Sequence, residues 1–258
     1  MIQKLINSVN GIMVLSENSK ELIKDIYRIP NNVEIQKIYH GHYIDCYPNE
    51  CDFQTSRDVL GIPYEKFVYL TPGAIKPYKG HLELIESFFR VSQPDDVLVI
   101  AGGGQQSFID QLKSIIETHS GPKTGSIKLI PKFIEPEQFQ YFFNAANATV
   151  LPFNRVLNSG SLLLAMSFGS PVIAPRTGSI PEIAPPEFYF GYTAEETSDK
   201  SHLCQALIDA KKSITGFASK QKIRTSIIEF AKTNYNWEQV GMKLSHWYST
   251  LLAKYESN

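Results

Sequence analysis

The middle of the chain, from about residue 67 to residue 174, alternates short apolar runs with segments long enough for amphipathic helices. The runs are apolar on both faces instead of alternating strictly with polar residues, which is typical of strands buried in a parallel sheet. The expected strands are Phe67–Leu70, Val97–Ala101, Ile127–Ile130, Ala148–Leu151 and Pro171–Ala174. The expected helices are His81–Val91, Ser107–Thr118, Pro136–Ala146 and Ser161–Phe168. This order predicts an α/β fold with a doubly wound parallel sheet, whose ligands bind at the carboxyl ends of the strands.

The first 45 residues follow a separate pattern. Gly11–Leu15 and Val33–Tyr39 are predicted to be strands. The helix between them is expected to begin with Asn18 and Glu21 as a capping box. We expect these elements to form one terminal unit of a second sheet.

Two further segments, one after each predicted sheet, do not have the pattern of buried strands. The connection between Gly41 and Lys66 contains two prolines and a short helical segment, which fits an inter-domain linker. The tail from Ser219 predicts two helices that are broken near Asn234. The second helix carries the apolar side chains Trp237, Val240, Leu244, Trp247, Leu251 and Leu252. A helix this apolar must pack against another surface.

Composition excludes several classes of protein. With 43% hydrophobic and 20% charged residues, the chain has the balance of a globular protein. A net charge of −1 gives no electrostatic reason to expect nucleic acid as a partner. The three cysteines, Cys46, Cys51 and Cys204, have no metal-ligand spacing and suit a reducing cytoplasm. No signal peptide is recognised at the start, and the longest apolar run, Ser161–Phe168, is far shorter than the roughly 20 residues of a spanning helix. The chain is therefore expected to be a soluble cytoplasmic protein.

The loop after the first central strand has the residues of a diphosphate site. It runs from Gly73 to Gly80 and contains Lys76 and Lys79. Glycine lets the backbone approach a phosphate, lysine supplies charge, and the following helix N-terminus adds its dipole. The alternative is a solvated basic turn.

The loop after the second central strand contains three consecutive glycines. Gly102 and Gly104 fit the first two positions of G-x-G-x-x-G, but Ser107 occupies the third, and no acidic residue follows at the distance expected for a ribose contact. A tight turn beside a ligand cleft is therefore favoured over a dinucleotide site, and an NAD-dependent oxidoreductase is disfavoured.

The loop and helix after the fourth central strand suggest a second anion-binding element. Asn158, Ser159, Gly160 and Ser161 lie at the start of an apolar helix, where N–H groups and serine hydroxyls can hold an anion. Arg155 is close enough in sequence to contact phosphate. The alternative is a serine-capped core helix beside an exposed arginine.

No catalytic residue can be assigned from the motifs. No serine, histidine and acid follow a nucleophile-elbow spacing, and no histidine pair suits a metal, so no metal site is expected. His40 and His42 are the clustered histidines, and a structural or cleft-lining role is favoured over a catalytic one.

The order of these motifs resembles the C-terminal domain of GT-B glycosyltransferases of the group 1 type, which include bacterial transferases for lipopolysaccharide, capsule and exopolysaccharide. The family's motifs G-R-L-x-x-x-K-G and L-x-I-x-G-x-G resemble GAIKPYKG and VLVIAGGG. Its L-E-A-M-A-x-G-x-P-V-I-x-x-x-x-G-G-x-x-E-I segment resembles SLLLAMSFGSPVIAPRTGSIPEI, and its F-S-W-E resembles YNWE near the end of the chain. The segments GIMVLSENSKELI and KIYHGHYID resemble the last strand, helix and hinge strand of the family's N-terminal domain. The resemblance spans nearly the whole chain.

The resemblance implies the roles of individual residues. Lys79 would bind the donor diphosphate, and Gly73 and Gly104 would line the cleft. The N–H groups of Asn158, Ser159 and Gly160 would face phosphate or sugar. The loop that would hold the nucleoside base, largely through its backbone, consists of Lys132, Phe133, Ile134 and Glu135.

Three positions depart from the family's pattern. Ala74 stands where the family usually has arginine, and we expect Lys76 or Arg155 to supply the missing charge. The family's two glutamates, which usually contact the donor sugar and the ribose, fall on Val156 and Leu164. These changes indicate a subgroup of the same transferases, because the flanking helix and loops are intact.

The resemblance also implies a domain organisation. Residues 1–45 would be a remnant of the acceptor-side domain and residues 46–66 the linker. Residues 67–233 would be the Rossmann-like donor-binding domain, and residues 234–258 a helix that crosses back to the N-terminal side. The partial N-terminal segment would also be Rossmann-like.

The expected function is transfer of a hexose from a nucleoside-diphosphate sugar to a glycan or lipid-linked acceptor in surface polysaccharide synthesis. The nucleotide sugar is the donor substrate, and no cofactor is expected. The protein would be cytoplasmic, at the inner face of the membrane when its acceptor is a lipid. The alternative is a non-catalytic nucleotide-sugar-binding fragment, or one subunit of a split transferase. Self-association, or a partner chain that supplies the acceptor domain, is expected in either case.

Overall fold

The computed structural model describes residues 1–194, 201–214 and 216–256. The N-terminal elements are helix α1 (Ile2–Ile6), strand β1 (Gly11–Val14), helix α2 (Glu17–Ile26) and strand β2 (Glu34–Lys37). Strands β1 and β2 form a parallel two-stranded sheet. The predicted capping box is wrong, because α2 begins two residues after Leu15 and its cap is Ser16, whose hydroxyl accepts a hydrogen bond from Ser19 N at 3.1 Å. Asn18 lies inside the first turn.

A six-stranded parallel sheet forms the larger part of the molecule. Its strands are β3 (Phe67–Pro72), β4 (Asp96–Ala101), β5 (Ser126–Ile130), β6 (Ala148–Val150), β7 (Val172–Pro175) and β8 (Tyr189–Tyr192). Their spatial order is β5-β4-β3-β6-β7-β8. Five of these strands are those predicted from the apolar runs. The sixth was missed because Tyr189–Tyr192 is a short edge strand that is only half-buried over three of its four residues.

Helices cover both faces of this sheet. They are α3 (Phe53–Leu60), α4 (His81–Val91), α5 (Gln106–His119), α6 (Phe139–Ala145), α7 (Gly160–Ser167), α8 (Ile180–Ile183), α9 (Ser201–Ser213) and α10 (Phe217–Asn234). The last helix, α11 (Trp237–Glu256), follows them in the chain. Alternate residues of β3 face opposite cores: Leu70 packs with α6 and α7 residues, and Tyr69 packs with Phe88 of α4. The doubly wound sheet predicted from the sequence is therefore present. No helix within the described ranges combines the length and apolar character needed to cross a bilayer.

The strand order places a switch point between β3 and β6. Strand β3 pairs with β4 on one side and with β6 on the other. The chain therefore winds outward in opposite directions from these two central strands, and their carboxyl-end loops diverge around a crevice. The loops that carry Lys79 and Gly160 follow β3 and β6, so both predicted anion-binding elements border that crevice.

Helix α11 returns from the large sheet to the N-terminal sheet. Trp247 is 6% exposed, and its Nε1 donates a hydrogen bond to Glu34 at 2.8 Å. A side chain at Gly11 would lie 2.6 Å from the Trp247 ring, so the glycine provides the space for the indole. At the start of the helix, the Trp237 ring covers Gly41 in the same way. For Trp247, the surface against which this apolar helix packs is the β1–β2 sheet.

A cluster of hydrogen bonds around Glu182 joins the two sheets. This side chain, in α8, accepts from Glu17 N at 2.8 Å, from Lys37 Nζ at 3.0 Å and from Tyr39 Oη at 2.7 Å. Burial alone would raise the pKa of Glu182, but the bonds from Tyr39, Lys37 and Glu17 N outweigh it and lower that pKa. The cluster fixes the orientation of the N-terminal sheet relative to the loops after β7.

Replacing Glu182 with alanine is expected to destabilise the protein by about 1–3 kcal/mol, because Lys37, Tyr39 and Glu17 N lose their shared acceptor. The pKa of Glu182 is lower in the folded than in the unfolded protein. Its stabilising contribution is therefore present above the unfolded pKa of about 4.3 and is lost as pH falls through the folded-state pKa. Urea unfolding from pH 7 to pH 3 measures both effects. The control is Glu187→Ala, which removes an exposed carboxylate from the next turn. Equal stability of the wild type and Glu182→Ala at pH 7 would contradict the role of the cluster.

Candidate functional site

The loops after β3 and β4 are joined by direct backbone contacts. Gly73 N donates to Ala101 O and Ile75 N donates to Gly103 O, both at 2.8 Å. A Cβ on Gly102 would lie 2.0 Å from Gly73 O, and one on Gly104 would lie 2.7 Å from Ile75 O. Gly102 and Gly104 are thus required by packing between the loops. This confirms the prediction of a tight turn, and it accounts for the glycines without a dinucleotide.

The loop after β3 is also locked to the loop after β6. Gly80 has a φ of 69°, and a Cβ there would lie 1.8 Å from Pro152 O. Asn154 N donates to Tyr78 O at 3.2 Å across the same contact. Only glycine meets both the left-handed conformation and the close approach. The two loops that border the crevice are therefore held in one fixed relation.

Lys79 lies beside this junction. Its Nζ lies 5.7 Å from the centre of the Phe153 ring and 3.5 Å from where a Cβ on Gly73 would be. Burial, and secondarily the charge of Lys76, lower the pKa of Lys79. No acidic side chain pairs with it in the described part of the chain. A desolvated ammonium group without a counterion favours an anion at this position. Lys76 is exposed on the outer side of the same turn.

The N-terminus of α7 provides hydrogen-bond donors. Ser159 is the capping residue, and its Oγ accepts from Leu162 N at 3.2 Å. Gly160 N and Ser161 N have no protein acceptor among the residues that the structure describes. Asn158 and Arg155 are exposed in the preceding loop. The serine cap and the exposed arginine are those of the alternative interpretation, a serine-capped core helix, while two backbone N–H groups at its start remain available to a ligand.

The loop after β5 presents an aromatic side chain beside these elements. Phe133 is 71% exposed, and its N lies 3.6 Å from where a Cβ on Gly103 would be. Buried Ile134 anchors the loop, and Glu135 begins a 3-10 turn in a capping box with Gln138. Lys132 is exposed on the other side of Phe133. This loop therefore offers a flat apolar ring and a lysine next to the glycines after β4.

The sequence resemblance leads us to expect glutamates at two positions of this site, and both carry apolar side chains. Val156 and Leu164 are both half-buried and pack against the main core. Val156 is also fixed through its backbone, because a Cβ on Gly178 would lie 2.2 Å from Val156 O. Neither position can form hydrogen bonds through its side chain.

The paired histidines have packing roles. His42 N donates to Tyr235 O at 2.8 Å, and His42 O accepts from Trp237 Nε1 at 2.7 Å. Burial lowers the pKa of His42. The His40 ring lies 5.0 Å from the Trp237 ring between centroids. Both histidines thus help join the segment after β2 to the start of α11.

Sequence reasoning missed one side chain at the crevice. Tyr43 falls in the segment assigned to the end of the N-terminal remnant, yet its hydroxyl lies 3.3 Å from where a Cβ on Gly160 would be. Its backbone N donates to Ser167 Oγ at 2.8 Å, at the other end of α7. No local pattern indicates a contact between positions more than 100 residues apart, and the apolar spacing around Tyr43 predicts only a connection.

Comparison with known proteins gives one family and several relatives. The family model described as glycosyl transferases group 1 matches residues 52–232. The chain is 30% identical over 161 residues to a GDP-mannose:glycolipid 4-beta-D-mannosyltransferase of Xanthomonas campestris pv. campestris, which covers 61% of this chain and 42% of that protein. It is 30% identical over 198 residues to the putative glycosyltransferase YtcC of Bacillus subtilis, which covers 70% and 46%. The chain therefore spans less than half the length of these curated relatives.

Solved structures share the arrangement of both sheets. A sucrose-phosphate synthase from Thermosynechococcus elongatus superposes with a TM-score of 0.79 at 17% identity, covering 98% of this chain and 61% of that one. HepE of Anabaena, in complex with UDP and glucose, superposes with a TM-score of 0.77 at 18% identity, covering 96% and 66%. At these identities the likeness establishes the fold.

Replacing Gly80 with alanine is expected to destabilise the protein by about 2 kcal/mol or more, because the left-handed conformation is unfavourable for alanine and its Cβ collides with Pro152 O. Thermal and urea unfolding measure the loss. The matched control is Gly121→Ala, since a Cβ at Gly121 meets nothing within 4 Å. If Gly80→Ala proves as stable as Gly121→Ala, the two loops are not locked as described.

Proposed function

The chain belongs to the glycosyl transferases of group 1, and from that premise we propose that it binds the nucleoside-diphosphate sugar in the transfer of a hexose to a glycan or glycolipid acceptor. The family that the sequence motifs resemble is confirmed, and so is the Rossmann-like GT-B fold. The mannosyltransferase relative, which is named for a GDP-mannose donor and a glycolipid acceptor, supports a role in surface polysaccharide synthesis. A lipid-linked acceptor would bring the protein to the inner face of the membrane.

The observation that carries this proposal is that the loop of Lys79 and the loop leading to α7 follow the two strands on either side of the switch point. The ammonium group lies at the end of β3, and the N–H groups of Gly160 and Ser161 lie after β6. A diphosphate offers several anionic oxygens to such donors, and the helix dipole adds a favourable field. The HepE structure, which contains UDP, is consistent with a nucleotide in this fold.

The same groups account for the chemical step. Breaking the bond between the sugar and the diphosphate leaves negative charge on the departing nucleoside diphosphate. We propose that Lys79, Gly160 N and Ser161 N donate hydrogen bonds to that diphosphate and stabilise the charge as it develops. We further propose that the exposed Arg155 closes on the same diphosphate and replaces the arginine absent at Ala74. A guanidinium group can contact two phosphate oxygens at once.

The nucleoside would lie on the loop after β5. The exposed ring of Phe133 can stack on a base, and the backbone of Lys132, Ile134 and Glu135 can hydrogen-bond its edge. Gly104 packs directly against Ile75 in the neighbouring loop. Each of these groups follows a neighbouring strand, so a bound nucleotide would extend along the carboxyl edge of the sheet.

A second candidate is a nucleotide-sugar-binding subunit that does not transfer sugar without a partner. The apolar side chains of Val156 and Leu164 favour it, because they remove two side chains through which relatives hold the donor. Apolar side chains are also exposed on α11, among them Trp237 at 47%, Met242 at 67% and Leu252 at 64%. We propose that self-association or a partner chain covers part of this surface.

Replacing Lys79 with alanine is expected to weaken binding of a nucleoside diphosphate about tenfold or more, because a charge-assisted hydrogen bond to phosphate contributes about 1.5–3 kcal/mol. Calorimetry with GDP and UDP measures the change. The control is Lys123→Ala, an exposed lysine in the loop that leads into the opposite end of β5. Unchanged affinity in a folded Lys79→Ala protein would remove this residue from the site.

The chain alone is expected to fold and bind nucleotide but to transfer no sugar, because positioning the acceptor is a large part of a two-substrate reaction. Purified protein is incubated with labelled GDP-mannose or UDP-glucose and a membrane glycolipid extract, and nucleotide binding is measured in parallel. Binding without transfer is the predicted result. Robust transfer would show that the acceptor site lies within these residues, and no binding of either nucleotide would overturn the proposed function.

A further inference from the structure

Tyr43, in the segment that follows β2, contacts both ends of α7. Its backbone N donates to Ser167 Oγ at 2.8 Å, and Ser167 Oγ in turn donates to Leu163 O at 2.7 Å. Its hydroxyl reaches the opposite end of the helix, 3.3 Å from where a Cβ on Gly160 would be. The tyrosine therefore lies along the helix, with its polar end at the free N–H groups.

Neighbouring rings hold this orientation. The Tyr43 ring lies 5.3 Å from the His40 ring and 6.0 Å from the Tyr47 ring, measured between centroids. His40 is itself packed against Trp237, and Tyr47 against Phe139, at 5.0 Å and 5.2 Å. A side chain restrained on both sides loses little further freedom when its hydroxyl forms a hydrogen bond.

The hydroxyl has no hydrogen-bond partner in the part of the protein that the structure describes. Burial, and then the neighbouring Tyr47 and Cys46, raise the pKa of Tyr43, so the hydroxyl stays protonated at neutral pH. A neutral phenol both donates and accepts a hydrogen bond. Sugar hydroxyl groups do the same, whereas a diphosphate requires donors and positive charge, which Lys79 and the helix N-terminus already provide.

We propose that the Tyr43 hydroxyl hydrogen-bonds the hexose of the nucleotide sugar and makes Tyr43 a donor-specificity residue. This inference rests on the proposed function. It gives the site a polar side chain near α7 where Val156 and Leu164 provide none. Because Tyr43 belongs to the segment that joins the two sheets, it also makes sugar recognition depend on their relative position.

The test compares nucleotide with nucleotide sugar in Tyr43→Phe. Phenylalanine keeps the ring between His40 and Tyr47, so the variant is expected to fold with an unchanged thermal midpoint. Calorimetry is done with GDP, GDP-mannose, UDP and UDP-glucose. For the sugar nucleotide that the wild type binds more tightly than the parent diphosphate, the variant is expected to lose about fivefold to tenfold in affinity, as for one neutral hydrogen bond. Affinity for the diphosphate itself is expected to stay within about twofold.

The matched control is Tyr47→Phe, which removes a hydroxyl from the neighbouring ring and is expected to bind all four ligands as the wild type does. Two results would overturn the proposal: wild-type affinities for every ligand in Tyr43→Phe, or an equal loss for diphosphate and sugar nucleotide, which would place the hydroxyl on phosphate. If the wild type binds none of the four ligands, the proposed function fails, and this inference fails with it.

Discussion

The carboxyl ends of β3, β4 and β6 are held together by backbone packing that only glycine permits. Gly102 lies against Gly73, and Gly80 lies against Pro152, each so closely that a Cβ would overlap a carbonyl oxygen. These contacts hold the loop of Lys79 against the segment that leads to α7 without any bond from the lysine side chain. In the proposed diphosphate site, the candidate donors would therefore be in place before an anion arrives, and little ordering would oppose binding.

The segment that follows the N-terminal sheet also borders the crevice at the carboxyl ends of the strands. Glu182 and Trp247 each attach that sheet at a different point, one by hydrogen bonds to Lys37 and Tyr39 and the other by packing on Gly11. Because the N-terminal sheet is attached at two separate points, it cannot rotate about either of them. The segment after β2 is thereby held across α7, and its side chains become part of the crevice. The sugar contact proposed for Tyr43 would therefore depend on the relation between the two sheets.

Local patterns in the sequence predict most of the fold and single out the charged residues of the candidate site. Two-sided apolar runs identify the five central strands, and glycine with lysine identifies the loop around Lys79. The strand Tyr189–Tyr192 was missed because its half-buried residues lack that signature. The bond between Lys37 and Glu182 joins residues 145 positions apart, and the contact of Tyr43 with Gly160 is similarly distant. Such contacts depend on how finished elements pack, so no periodicity or motif within one segment can reveal them.

The most direct test of the account is the chemical shift of two backbone amides. The spectrum of the 15N-labelled protein is recorded during titration with GDP and with UDP, and the signals of Gly160 and Ser161 are followed. The account predicts that both amide protons shift strongly downfield as the diphosphate accepts their hydrogen bonds, while the Leu162 amide, already bonded to Ser159 Oγ, changes little. Saturable nucleotide binding that leaves the Gly160 and Ser161 signals in place would contradict it.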